Sequence, residues 1–233
     1  MQIENSTVLI TGANRGIGLA FAKAFVARGA KKVYAGSRNP SKLSLAGVTP
    51  IKIDVNAVAD VQVAAQLAQD VTIVVNNAGI ANFGSFMAED AEAMLRNHLE
   101  TNVLGPLRIS RAFAPVLAQN GGGALINVAS IASWITSPKL ASYAVSKSAL
   151  WSLSNGLRND LRGQGTQVLT LHMGFVDTDL TKGIDMPKST PAAIVERTLQ
   201  ALEAGAHEVL ADEMTQQVKA SLSAEQAVYL AAR

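Results

Sequence analysis

The stretch TVLITGANRGIG, Thr7 to Gly18, decides the fold. A run of β-favouring residues leads straight into a glycine-rich turn, and GIGLAFAKAFVARG, an alanine-rich segment of helical length, follows at once. A strand that turns tightly into a helix is the opening of a βαβ unit. Glycines at that junction let the backbone approach a pyrophosphate, whose charge is favoured by unpaired N–H groups and by the positive end of the helix dipole. The spacing Gly12-x3-Gly16-x-Gly18 departs from the G-x-G-x-x-G form of the dinucleotide fingerprint.

Outward from this stretch the same alternation repeats. KKVYAGS, PIKIDV, VTIVVNNAG, ALINVAS, TQVLTLHMG and HEVLAD read as strands, with VADVQVAAQLAQ, the region from about Asp90 to Leu117, the segment from Tyr143 to about Leu161, and PAAIVERTLQALEAG as helices between them. The strand runs are apolar throughout rather than alternating, which predicts a parallel sheet covered on both faces, a doubly wound α/β fold. NPSKLSLAGVT, Asn39 to Thr49, is too short and too broken by Pro and Gly for a full crossover helix, so a turn or stunted helix is expected there. No composition shift, linker or internal repeat divides residues 1–233, and one domain is expected.

Composition narrows the function. The chain has 233 residues, 48% of them hydrophobic, enough for a full core, and only 16% charged with a net charge of +2. With no Lys/Arg run, neither a nucleic-acid surface nor a polybasic membrane patch is expected. The absence of cysteine excludes disulfides, thiolate catalysis and zinc-thiolate sites. His98, His172 and His207 fall on separate elements without ligand spacing, so no metal site is expected. The N-terminal residues MQIENSTVLITGA carry no basic region followed by an apolar one, and VTIVV is far shorter than the roughly 20 residues that span a bilayer. A cytoplasmic protein without a membrane partner is the expectation.

Two further clusters carry chemistry. At the end of the second strand, where NAD enzymes place an acid for the ribose 2′-hydroxyl, this chain has Ser37-Arg38. An arginine fork suits a phosphate, and Arg15 in the glycine turn adds a second cation, so NADP(H) is the expected cofactor. In SPKLASYAVSKSAL, Ser137 to Leu150, Tyr143 and Lys147 lie four apart, on one face of a helix. Hydride reduction of a carbonyl leaves an alkoxide that needs a proton, and a phenol supplies it. A nearby ammonium would bring the phenol down from its ordinary value near 10. Ser130, ending the strand ALINVAS, is placed to hydrogen-bond the substrate oxygen.

With these features together, the chain resembles the short-chain dehydrogenase/reductase family, in its compact single-domain branch. Thr11-Gly12-x3-Gly16-x-Gly18 matches that family's cofactor loop, Asp54 its adenine-contacting acid, Asn76-Asn77-Ala78-Gly79 its NNAG element, and Asn102, Ser130, Tyr143 and Lys147 its catalytic tetrad. The resemblance implies a Rossmann-type sheet of strand order 3-2-1-4-5-6-7. It implies that Tyr143 is the general acid/base, that Lys147 binds the nicotinamide ribose and lowers the tyrosine pKa, that Ser130 orients the carbonyl and that Asn102 holds a water in the proton relay. Asn14, Ile17, Val55, Asn77, Ala78 and Gly79 join the cofactor set, as do Gly174, Val176 and Thr178 after strand six. Met173 stands where the family commonly has proline, which bears on the rigidity of that loop.

The expected activity is therefore NADPH-dependent reduction of a ketone or aldehyde, reversible as alcohol oxidation. A 3-oxoacyl carrier-protein reductase and a non-catalytic dinucleotide-sensing module remain alternatives, and a sugar-nucleotide epimerase fits less well because one domain with short-branch glycine spacing is read. The loops after strands four, five and six supply Ile80, Phe83 and Phe86, Ile131, Trp134 and Ile135, and Met173 and Phe175, which predicts a small apolar or aromatic substrate. Thr181 to Thr190 is the expected lid. A homodimer or homotetramer is expected through the long central helices, with Ala141, Ala144 and Ala149 allowing close approach.

Overall fold

The computed structural model describes residues 1–231. Its strands are β1 (Thr7–Thr11), β2 (Lys32–Ser37), β3 (Thr49–Lys52), β4 (Ile73–Asn76), β5 (Ala124–Val128), β6 (Gln167–His172) and β7 (Glu208–Leu210). They form one parallel sheet of order β3-β2-β1-β4-β5-β6-β7, as the sequence predicts. The helices are α1 (Gly16–Ala27), α2 (Val58–Leu67), α3 (Ala91–Leu99), α4 (Gly105–Gln119), α5 (Ala141–Asp160), α6 (Pro191–Glu203) and α7 (Glu213–Ser221).

The central strands are buried on both faces, and their alternating side chains feed two cores. Val8 and Ile10 of β1 pack with Phe21 and Phe25 of α1 and with Ile194 and Leu199 of α6. Leu9, one residue out of phase, joins Val61 of α2, Phe113 of α4 and Leu157 of α5 on the opposite face. An apolar run thus serves two layers of helix, whereas an amphipathic strand would serve one. The edges behave differently. In β3 only Ile51 is buried, and Pro50 is accommodated because an edge strand needs fewer ladder donors.

Two regions depart from simple expectation. The segment after β2 holds one short 3-10 turn, Pro40–Lys42, the stunted helix anticipated there. The stretch from Asp90 to Leu117 is not one helix but α3 and α4 joined by a π-helical turn, Glu100–Leu104, which carries Asn102. A π turn inserts a residue into the helical ladder and so re-aims one side chain, a feature that apolar periodicity does not report.

All seven strands point the same way, so their C-terminal ends share one rim. The chain leaves β1 and β4 toward opposite sides of the sheet, which opens a crevice between the loops after Thr11 and Asn76. Among the described residues no helix is long and apolar enough to cross a membrane.

Candidate active site

The glycine turn is the most tightly specified part of the rim. Gly12 has φ of +66°, a conformation that side chains disfavour, and a Cβ on Gly18 would lie 2.2 Å from the Gly12 carbonyl oxygen. Arg15 caps α1 without a side-chain hydrogen bond, so the first N–H groups of α1 remain available to an anion. Asn77 braces this turn. Its amide nitrogen donates to the carbonyls of Thr11 (2.9 Å) and Gly12 (3.1 Å), while the Thr11 hydroxyl accepts from the N–H groups of Asn77 and Ala78. Asn77, expected to bind cofactor, therefore has its side-chain nitrogen committed to holding the loop, next to Ala78 and Gly79.

The neighbouring strand ends suit an adenosine phosphate. The Ser37 hydroxyl is buried with no protein partner, an arrangement that costs free energy unless a ligand or water satisfies it. Arg38 is exposed beside it, as is Asn14 in the glycine turn. Arg15 forms an ion pair with Asp179 at 3.5 Å, with both side chains about two-thirds exposed, a contact weak enough to yield to a phosphate. Asp54 is half-buried and accepts from the Asn56 N–H, with buried Val55 beside it. These groups fit a dinucleotide carrying an extra phosphate: a loop stripped of side chains, an open helix N-terminus, an unpaired hydroxyl and two exposed guanidinium groups.

Across the crevice, Ser130, Tyr143 and Lys147 come together from β5 and α5. Ser130 is buried at the end of β5, and its Oγ accepts from the Ala132 N–H at 3.1 Å, which leaves its own O–H free to donate. The Lys147 ammonium donates to the Val128 carbonyl at 2.8 Å and lies 5.7 Å from the centre of the Tyr143 ring. Asn102 is saturated: Oδ1 accepts from the Ile80 N–H, and Nδ2 donates to the Ile80 carbonyl and to Ser146 Oγ, each at 2.9 Å. It clamps the loop after β4 to the start of α5.

The expected fall in the tyrosine pKa is not what this structure produces. Burial pushes the Tyr143 phenol up to about 12, and only the Ser130 hydroxyl works the other way. The phenol keeps an opening to the cavity described below, but protein surrounds the rest of it. Burial also brings the Lys147 ammonium down to about 8. The physical reason is desolvation, which disfavours the charged form of both groups; the lysine is aimed at a carbonyl oxygen rather than the phenolic one.

A cavity of about 570 Å³ opens at Ser130 and Tyr143. Phe83, Ile131, Ile135, Met173 and Phe175 line it as the sequence predicts, and Thr181, Ile184 and Met186 of the expected lid close one side. Ile80, Phe86 and Trp134 are not in its wall. Phe86 and Trp134 instead line a second, outward groove along α5. Trp134 stacks on His172 with ring centres 4.2 Å apart and meets Trp151 edge-on, because the turn Ile131–Ser133 swings it away from the carbonyl site. Ala141 and Ala144, although largely buried, line this outward groove together with Val145 and Ala149.

The sequence reading missed the C-terminal contribution. Met214, Gln217 and Val218 of α7, and Val228 beyond it, line the same cavity. Nothing in their local pattern separates them from an ordinary amphipathic helix. Asp212 was missed as well: it accepts from the Gly174 N–H at 2.6 Å and caps α7 through Thr215 at 2.8 Å. With the bridge between Val176 and Ser189, this bond holds the loop that carries Gly174, Val176 and Thr178. The loop therefore has restraints of its own where Met173 replaces proline. The remaining glycine-turn residue, Ile17, and Thr178 both reach the cavity wall.

Known proteins bear on this arrangement. The family model for short chain dehydrogenases matches residues 6–188. A short chain dehydrogenase from Burkholderia cenocepacia J2315, solved in complex with NADP, superposes with a TM-score of 0.92 at 38% identity, covering 97% of this chain and 95% of that one. The 1-deoxy-11-beta-hydroxypentalenate dehydrogenase of Streptomyces exfoliatus is 33% identical over 205 residues, 81% of this chain and 74% of its own length. The short chain dehydrogenase tazN of Aspergillus terreus is 30% identical over 208 residues, which are 82% of this chain but 45% of that longer protein.

Proposed function

The chain belongs to the short-chain dehydrogenase/reductase family of oxidoreductases, and from that premise we propose that it is an NADPH-dependent carbonyl reductase acting on an uncharged, apolar or aromatic ketone or aldehyde. The observation that carries this reading is the cavity wall. Ser130 and Tyr143 present their hydroxyls to a space otherwise bounded mainly by aliphatic, aromatic and methionine side chains, and no charged side chain lines it among the described residues.

Gly12, Gly16 and Gly18 would receive the pyrophosphate at the N-terminus of α1, Ser37 with Arg38 and Arg15 the 2′-phosphate, and Asp54 and Val55 the adenine. Lys147 would hold the nicotinamide ribose, while Gly174, Val176 and Thr178 would face the carboxamide. The bound nicotinamide supplies the hydride. Ser130 donates its O–H to the carbonyl oxygen and stabilises charge developing there. Tyr143, whose phenol is protonated at neutral pH, is the proton donor to that oxygen. Asn102 acts by fixing Ile80 against α5, and so keeps the tyrosine's helix in register with the cofactor loop. NADPH is favoured over NADH because Ser37-Arg38 replaces an acid, and the NADP-bound Burkholderia relative supports the same choice. A homodimer or homotetramer, as the family resemblance implies, completes the reading.

The test is a comparison of kcat/KM for an aryl ketone, a small keto acid and an acyl thioester with NADPH. The aryl ketone is expected to be turned over best, by tenfold or more, since a buried unpaired charge costs on the order of a few kcal/mol. Lys139, Lys182 and Lys188, the cations an acid would need, all lie outside the cavity wall. A keto acid preferred over the ketone overturns the substrate class; preference for the thioester returns the carrier-protein reductase.

A further inference from the structure

His172, the last residue of β6, is fully buried, and both edges of its ring face acceptors. Nδ1 lies 3.1 Å from the carbonyl oxygen of Ser130, and Nε2 lies 3.4 Å from Oε1 of Glu208. A carbonyl oxygen only accepts, so Nδ1 carries the proton in that contact and donates it. The separation of 3.4 Å is long for a hydrogen bond, and Nε2 has no hydrogen-bond partner in the protein. Glu208 opens β7 and is itself fixed by the Lys219 ammonium at 3.0 Å, from α7. The ring edge of His172 first, and then Lys219, hold this carboxyl well below the usual range, at about 2, although desolvation opposes them. Trp134 covers the ring at 4.2 Å, and Lys219 sits over Trp134 at 4.7 Å.

Resting on the carbonyl-reductase reading, the geometry points to His172 as the positioning residue for Ser130, with Glu208 and Lys219 as its anchor. Ser130 lies just past the end of β5, between the Ala129 and Ile131 N–H groups that donate to Leu171 and Met173. Its carbonyl accepts from His172 and from the Ser133 N–H, and the next residue, Ile131, donates to the Met173 carbonyl at 2.8 Å. The peptide that follows Ser130 is thus held by the short turn, by the Ile131–Met173 bond and by the imidazole. A change of a fraction of an ångström in the carbonyl rotates the same peptide that aims Oγ at the cavity. The ring does not reach the cavity and transfers no proton to substrate; it acts through Ser130. Glu208 borders the other edge of the ring, which places a residue from the start of the edge strand within reach of the geometry at the end of the fifth.

The experiment compares His172→Gln and His172→Asn with wild type and with Tyr143→Phe, measuring kcat and KM for an aryl ketone, the Kd of NADPH and the thermal midpoint. The carboxamide of asparagine places its nitrogen near the position of Nδ1, whereas that of glutamine extends toward Nε2. His172→Gln is expected to lower kcat roughly 10- to 100-fold, the scale on which misplacement by a fraction of an ångström to an ångström acts, with KM and NADPH affinity within about twofold. His172→Asn is expected to recover most of kcat. A packing role alone would lower the thermal midpoint in both variants without separating them. If His172→Gln does not fold, Glu208→Ala carries the test, leaving the ring in place without its anchor: kcat is expected to fall about tenfold at unchanged KM. Wild-type kcat in that variant or in His172→Gln, or asparagine as poor as glutamine, overturns the inference alone. A Tyr143→Phe protein as active as wild type overturns the reductase reading on which it rests.

Discussion

Beyond β1, β2 and β4 the rim of the sheet is made of backbone. Gly12 and Gly18 remove side chains, α1 offers its N–H groups, and Asn77 and Thr11 spend their polar atoms holding main chain in place. Beyond β5, β6 and β7 the rim is made of side chains, several of them ionisable and wholly or partly buried: Tyr143, Lys147, His172 and the Glu208–Lys219 pair. On the proposed reading, the first half would recognise the pyrophosphate and ribose groups of a nicotinamide dinucleotide, which needs shape and partial charge. The second half would bind the substrate and move a proton, which needs side chains of chosen size and acidity. Change in one half is expected to leave the other intact, and that expectation can be broken.

The largest separation is expected from Tyr143→Phe. The ring keeps its packing and loses only the proton, so turnover should fall by roughly 10²- to 10⁴-fold while the Kd of NADPH and the thermal midpoint stay near wild type. Single-turnover kinetics beside a binding titration read this directly, and joint loss of turnover and binding would merge the two halves. On the other side, Gly18→Ala drives a Cβ to 2.2 Å from the Gly12 oxygen, where backbone has to move. NADPH binding should be lost, and stability should fall by about 3 kcal/mol, the upper range for overpacking. Denaturant melts with and without NADPH would show it, since a bound cofactor stabilises only a protein that still binds it.

Arg38→Asp sharpens the comparison within the cofactor half. The preference for NADPH should drop by a factor equivalent to about 1.5–3 kcal/mol, the scale of a charge-assisted hydrogen bond, with the ranking of ketone substrates unchanged. The ratio of kcat/KM for the two cofactors measures it. A wild type indifferent to the 2′-phosphate would remove the argument from Ser37-Arg38.

The smallest effect concerns acid stability. The folded pKa of Glu208 is about 2 against an ordinary 4.5, so its contribution is present above about 4.5 and is lost as pH falls toward 2, where the carboxyl takes up its proton. Glu208→Gln should therefore flatten the stability profile between those limits. Above them it should lower the thermal midpoint by only a few degrees, because the carboxylate is partly exposed. Thermal melts from pH 5 to pH 2.5 are the measurement, and identical slopes in the two proteins would detach Glu208 from the packing of β6 and β7.

The two halves also differ in how far the sequence makes them legible. The glycine turn, the Ser37-Arg38 pair and the Tyr143–Lys147 spacing are contiguous, and each lies where the sequence predicts. Strand order follows from the alternation and the family resemblance together, and Phe83, Ile131, Ile135, Met173 and Phe175 reach the cavity as read from the loops. Trp134 and Phe86 do not, because a 3-10 turn decides which way they point. The upward shift of Tyr143 was not legible either, since desolvation depends on everything packed around the ring.

By itself, the sequence determined the parallel sheet, the glycine turn after β1 and the placing of Tyr143 and Lys147 one helical turn apart, because strand burial, tight turns and helical spacing are local properties written in neighbouring residues. Tertiary structure alone decided that α7 closes the cavity, that Asp212 holds the Gly174 loop and that His172 holds Ser130. Those contacts join residues roughly 40 or more positions apart, or whole elements, and their energy exists only once the sheet has brought the strand ends together.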